Sequence, residues 1–261
     1  MLKYLRSLFS QSPKDSLADG RTAMLPTPAP VTASSPVVVP VPVVAHVPQA
    51  PPVPNEDHLQ CAIAFTESEG LRLDAPMLGN PTDNLQLLDI VDFISAGLDE
   101  QFALYRAQKF NVPMKLGGDC GNVHFLIAKS IQKIYPGLGA NFVLGNVSVD
   151  GEGGFEFSQE KFKSWRRNGG HGDIYDCHSW ITFGDGMILD ATIATWVNTR
   201  RYSTKALGGI LYGIPGALSC IPITGEPHEP HKAIPATTSI KYTPIALGIE
   251  AFLSVAPKSA H

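Results

Sequence analysis

Apolar residues change their spacing several times along the chain, and each change marks an element. Over 84–106 they recur at Leu85, Leu88, Val91, Leu98, Phe102 and Tyr105. That is the step of a helix with one buried face, with Gly97 a weak point inside it. Over 120–135 Phe125, Ala128, Ile131 and Ile134 repeat the helical step until Pro136-Gly137 ends it. The period then shortens. Residues 141–149 read as a strand with Phe142, Leu144 and Asn146 on one face, and 155–157 as a continuation of the sheet. A short basic helix with a solvated face is expected over 158–167. Next, 178–183 and 187–195 alternate around Gly184-Asp185-Gly186, which predicts a hairpin. From Arg201 onward, short apolar runs broken by Gly and Pro predict strands and loops without a fixed placement. Helices followed by neighbouring strands make the fold class α+β.

Composition divides the chain. Of its 22 prolines, those from Pro26 to Pro54 are packed into a stretch of Pro, Val, Ala, Thr and Ser. Proline removes donors and extends its neighbours, so 26–54 reads as a semi-rigid spacer, with a docking partner for it as the sharper reading. The folded domain is expected over 55–261. Residues 1–25 form a separate segment in which Leu2, Leu5, Leu8 and Phe9 alternate with Lys3 and Arg6. This spacing suits a short amphipathic helix, the one place where membrane contact is expected, but it is too broken for a secretory signal. No run reaches the length of a membrane helix. A net charge of −4 supplies no basic field for a phosphate backbone, so nucleic acid is not an expected partner. The four cysteines (Cys61, Cys120, Cys177, Cys220) lack any C-x-x-C pair, and reduced thiols in a cytoplasmic setting are expected. The setting is cytoplasmic, or one reached by delivery without a conventional signal peptide.

The chemistry concentrates around one cysteine. In Gly117-Gly118-Asp119-Cys120-Gly121-Asn122 two glycines permit a tight turn, and Cys120 falls in the first turn of the helix that follows. Free N–H groups and the positive end of the helix dipole favour a thiolate there, the form that attacks carbonyl carbon. A small buried hydrophobe is the plain alternative. The hairpin supplies partners. His178 and Trp180 share one face of the first strand; Ile188, Asp190 and Thr192 share one face of the second. An odd loop ending in a left-handed Gly186 puts His178 and Asp190 on the same side, whereas a two-residue loop separates them. Asp190 then fixes the imidazole tautomer and turns the other nitrogen toward Cys120.

The pieces Cys120-Gly-Asn-Val-His-Phe-Leu-Ile-Ala128, Tyr135-Pro-Gly-Leu-Gly-Ala-Asn-Phe-Val-Leu-Gly-Asn-Val147, His178-Ser-Trp180 and Leu189-Asp190-Ala-Thr192 occur in one order over about residues 115–196. Together they resemble the transglutaminase-like core. That resemblance implies a papain-like fold with Cys120 as nucleophile, His178 as general base and acid, and Asp190 as orienter. Asp119-Cys120-Gly121 is also similar to the start of NlpC-type cell-wall peptidases, but the Ser after Cys is missing and the third residue is Asp. Both resemblances imply thiol-mediated acyl transfer on a protein or peptide amide. An inactive papain-like module docking through the Pro-rich arm is the alternative from another class. The Cys120 N–H is the expected oxyanion donor, with Trp180, Asn122 and Trp165 as candidates for a second. No cofactor is expected: neither Gly-rich nucleotide motif is present. No metal is expected either. Pro230 disrupts a helical ligand pair in His228-Glu229-Pro230-His231, and His171, Cys177, His178 and Cys220 follow no ligand spacing. His171 falls in the Gly-rich loop 168–172, read as a connection or a lid.

Overall fold

The computed structural model describes residues 56–76, 84–169, 176–223 and 230–255. Its helices are α1 (Glu56–Ser68), α2 (Asn84–Ala107), α3 (Val112–Gly117), α4 (Cys120–Ile134), α5 (Gln159–Asn168), α6 (Ile193–Trp196) and α7 (Ile249–Val255). Its strands are β1 (Asn141–Val149), β2 (Glu152–Gly153), β3 (His178–Thr182), β4 (Ile188–Asp190), β5 (Gly209–Ile214), β6 (Ala217–Pro222) and β7 (Ile240–Leu247). All join one antiparallel sheet in the order β2-β1-β3-β4-β5-β6, with β7 along the other edge of β1. The architecture is α+β. The N-terminal segment, the Pro-rich spacer, His171 and His228 lie outside the described residues, and among those described no helix is long and apolar enough to cross a membrane.

The long periodic segments form over the expected ranges, except that Leu88, expected on the apolar face of α2, is exposed because the buried stripe runs through Leu87 and Ile90. Helix α2 runs straight through Gly97, because Leu87, Ile90, Val91, Leu98 and Phe102 bury a continuous stripe around it. β1 holds the centre of the sheet, and its alternation feeds two cores. Phe142 and Leu144 pack with Ile181, Leu189 and the apolar faces of α2 and α4. Val143 and Val147 pack on the opposite face with Trp180, Ile188, Ile193 and Ala194. Helix α5 is basic and capped by Ser158, whose Oγ accepts from Lys161 N, and Phe162 anchors it at 0% exposure.

Two expectations need correction. Residues 155–157 do not continue the sheet. Phe157 is held instead by the Asn146 side chain, whose amide donates to Phe157 O and whose oxygen accepts from Phe157 N at 2.7 Å. A side chain thus replaces a ladder rung. The second hairpin strand also stops at Asp190, short of 195. There the Asp190 carboxylate takes the N–H groups of Thr192 and Ile193, at 2.9 and 3.0 Å, and turns the chain into α6. Beyond Arg201 the loosely placed runs become β5, β6, β7 and a helix, α7, that no periodic signal announced.

β3 is buried on both faces and lies against β1 with Gly145 opposite His178. A side chain at Gly145 would drive its Cβ into the backbone carbonyl oxygen of Thr243 and place it 2.6 Å from the Trp180 indole and 3.0 Å from Pro244 Cα. Gly145→Ala should therefore destabilise by about 1–3 kcal/mol, as overpacking in a close-packed core does, and thermal melting should show a fall of several degrees. An unchanged melting temperature would mean that the sheet gives way at this point.

Candidate active site

Cys120 is the first residue of α4, and its N–H is among those left without an intrahelical acceptor. His178 opens β3 and Asp190 closes β4, so both stand at strand ends beside the start of that helix. The hairpin decides whether they meet. Gly186 is left-handed at φ 81, Gly186 N donates to Phe183 O, and Phe183 N donates to Met187 O at 2.9 Å. The three-residue loop gives the register Ile181 opposite Leu189 and Thr182 opposite Ile188. Continued, it puts Asp190 across from Trp180 and diagonal to His178, on one face. His178 Nε2 and Asp190 Oδ2 are 2.6 Å apart and fully buried.

Asp190 is shared by more groups than its pairing with His178 requires. Oδ2 also accepts from Tyr242 OH at 3.1 Å, and Oδ1 accepts from Thr192 N, Thr192 Oγ1 and Ile193 N. Burial opposes its charge, but the His178 imidazolium outweighs burial and holds the carboxyl well below its usual range. Burial likewise disfavours a charged His178, yet Asp190 and Cys120 raise its pKa to about 10. Its other nitrogen, Nδ1, is buried with no partner besides the Cys120 thiol. At Cys120 burial raises the thiol pKa, while the His178 charge and hydrogen bonding from His178 and Ser179 lower it by more, so the net direction is down.

A second histidine lies beneath. His124, one helical turn after Cys120, is 0% exposed, and its ring lies 6.1 Å from that of His178. Its Nε2 accepts from Ala191 N at 3.0 Å, which leaves the proton on Nδ1 to donate to Cys120 O at 2.9 Å. His124 therefore pins the start of α4 to the residue after Asp190. The four-residue step from Cys120 was the signal that placed it on the same helical face. Tyr242 had no local signal, since β7 comes 52 residues after Asp190.

Cys120 lines a cleft of about 450 Å³ bordered also by Cys177, Phe155, Trp196, Phe252 and Arg200. Gly117, Gly118, Gly121 and Gly154 also line it. The His178 ring lies beside the cleft, with Phe155 over it at 5.2 Å and Trp180 nearly parallel to it at 6.2 Å. Of the three side chains considered as second oxyanion donors, Asn122 borders the cleft, but its amide donates to Asp119 Oδ1 at 2.7 Å. Trp180 is 2% exposed and packs edge-on against Tyr242, in the core rather than the cleft. Trp165 packs on Phe157 from α5 and is not among the cleft residues. Trp196, which sequence reasoning passed over, does line it. Among the described residues no group of three or more His, Cys, Asp or Glu could hold a metal ion. Cys177 is buried, with its thiol pushed up by burial, and Cys220 lies far along the sheet on β6. Comparison with protein-family models, curated proteins and solved structures found no match to the chain.

Because the His178 charge lowers the Cys120 pKa, the thiolate fraction near neutrality should exceed that of an ordinary cysteine and fall as the pH is lowered. Removing the imidazole leaves burial as the main influence, so in His178→Ala the thiol should behave as one at or above its ordinary 9.0. Iodoacetamide labelling of Cys120 near neutrality, read by peptide mass across a pH series, should then slow by about a hundredfold. Equal profiles in the two proteins would show that His178 does not activate the sulfur.

Proposed function

We propose that this protein is a cysteine hydrolase that performs thiol-dependent acyl transfer on a protein or peptide amide, with Cys120, His178 and Asp190 as its working residues. One observation carries the reading. The buried imidazole has Nε2 committed to Asp190 and its other nitrogen left for the thiol of Cys120, a helix-start cysteine that lines a cleft. The order of Cys, His and Asp, and their resemblance to the transglutaminase-like core, support a papain-like arrangement for the same residues.

The thiolate of Cys120 attacks the amide carbonyl and forms the carbon–sulfur bond. Charge develops on the carbonyl oxygen, where the Cys120 N–H at the start of α4 is placed to receive it. His178, protonated in the resting pair, delivers its Nδ1 proton to the departing amine as the carbon–nitrogen bond breaks. The neutral imidazole then takes a proton from the incoming water, whose oxygen attacks the thioester. Thiolate leaves, and the ion pair is restored. Asp190 keeps the proton on Nε2 throughout and stabilises the imidazolium.

Cys120→Ala should abolish turnover of amide substrates and leave the melting temperature nearly unchanged, and a covalent acyl adduct on Cys120 should be visible by mass in the native protein. Loss of several kcal/mol of stability in Cys120→Ala would make this sulfur a packing residue. Asp190→Asn should retain more activity than His178→Ala, because it disturbs orientation and leaves the base in place. Uniformly slow Cys120 labelling that rises only in alkali would favour a binding module that has kept the fold without the chemistry.

A further inference from the structure

We propose that Arg200 selects substrates carrying a carboxylate beside the amide to be cleaved, an inference that rests on the acyl-transfer reading of the same cleft. Two charged side chains line the cleft among the described residues, Asp119 and Arg200. Asp119 is neutralised: Oδ2 lies 3.0 Å from Lys115 Nζ and accepts from Tyr105 OH at 2.8 Å, and Oδ1 accepts from Asn122. Arg200 is exposed and forms no ion pair or hydrogen bond among the described residues. Its neighbour Arg201 shows what a committed arginine looks like here, bound to Val149 O, Glu152 and Asp150 at 2.9, 3.2 and 3.3 Å.

The segment that presents Arg200 is rigid. Val197–Arg201 is a π-helical turn, a form that occurs often at functional sites. Thr199 Oγ1 donates to Thr195 O at 2.9 Å, and Asn198 Nδ2 donates to Lys232 O at 2.6 Å. Gly117 lies so close beneath that a Cβ there would be 3.2 Å from the Trp196 backbone. A fixed backbone thus carries Trp196 and Arg200 to the same cleft as Cys120. A guanidinium is a planar fork of donors that matches a carboxylate. No second cation lines the cleft among the described residues, so a singly charged carboxylate fits better than a phosphate dianion.

The test compares Cys120 alkylation by iodoacetate and by iodoacetamide, which differ in one carboxylate for one amide. Each forms a sulfur–carbon bond and releases iodide. In Arg200→Gln the iodoacetate-to-iodoacetamide rate ratio should fall about three- to tenfold, the iodoacetamide rate serving to normalise any change in the thiolate. Arg201→Gln should leave the ratio as in the native protein, and added salt should lower the native ratio. A fast iodoacetamide reaction with the same ratio in Arg200→Gln would overturn the role of Arg200 and spare the acyl-transfer reading. Slow iodoacetamide labelling in every variant would overturn that reading, and this inference with it. Protection against iodoacetamide separates the sources of the carboxylate: N-acetylglutamate α-methylamide reports a side chain, and N-acetylglycine a chain terminus. Equal protection by N-acetylglutamine α-methylamide would count against the proposal.

Discussion

A charged carboxylate with no access to water is the constraint on which the rest of this structure depends. Asp190 is fully buried, and an unpaired charge there would cost several kcal/mol. Its neighbours are arranged to prevent that, and they come from three parts of the chain. His178 and Tyr242 reach one oxygen from β3 and β7, while Thr192 and Ile193 close on the other and start α6. Position in the sheet and direction of the chain are thereby settled by one side chain.

The division of labour between the two oxygens links chemistry to the cleft. Oδ2 orients the imidazole next to Cys120, and Oδ1 turns the chain into the segment bearing Trp196 and Arg200. His124 adds a third tie, from the backbone after Asp190 to the carbonyl of Cys120. Helix α4 and the end of β4 are thus held against each other by groups that never touch the cleft. A disturbance at Asp190 would be felt at the sulfur and at the binding wall together.

The sequence was legible where the determining signal was local. Three-residue spacing marked α2 and α4, alternation marked β1, and Gly184-Asp185-Gly186 marked a hairpin whose loop parity the structure resolves as odd, carrying His178 and Asp190 to one face. What escaped depended on partners distant in sequence. Strand β7 and helix α7 take shape against β1, and Tyr242 meets Asp190 only because β7 lies along that strand. Phe155 to Phe157 looked like strand by composition, and the Asn146 side chain replaced the sheet there. Trp180 looked like a cleft residue because it shares a face with His178, yet that face is covered by Tyr242 and the close approach at Gly145.

The glycines at Gly117, Gly118, Gly121 and Gly154 give the cleft an evolutionary asymmetry. A floor made of backbone has no side-chain atoms to lose, so substitution at these positions can only fill it. At Gly121 a new Cβ would lie 2.9 Å from the Phe252 ring, and at Gly154 it would lie 2.9 Å from the Trp196 ring. Drift at the floor is a ratchet toward narrower substrates. Widening or re-aiming the cleft is left to its walls, where Phe155, Trp196 and Arg200 have atoms to give up.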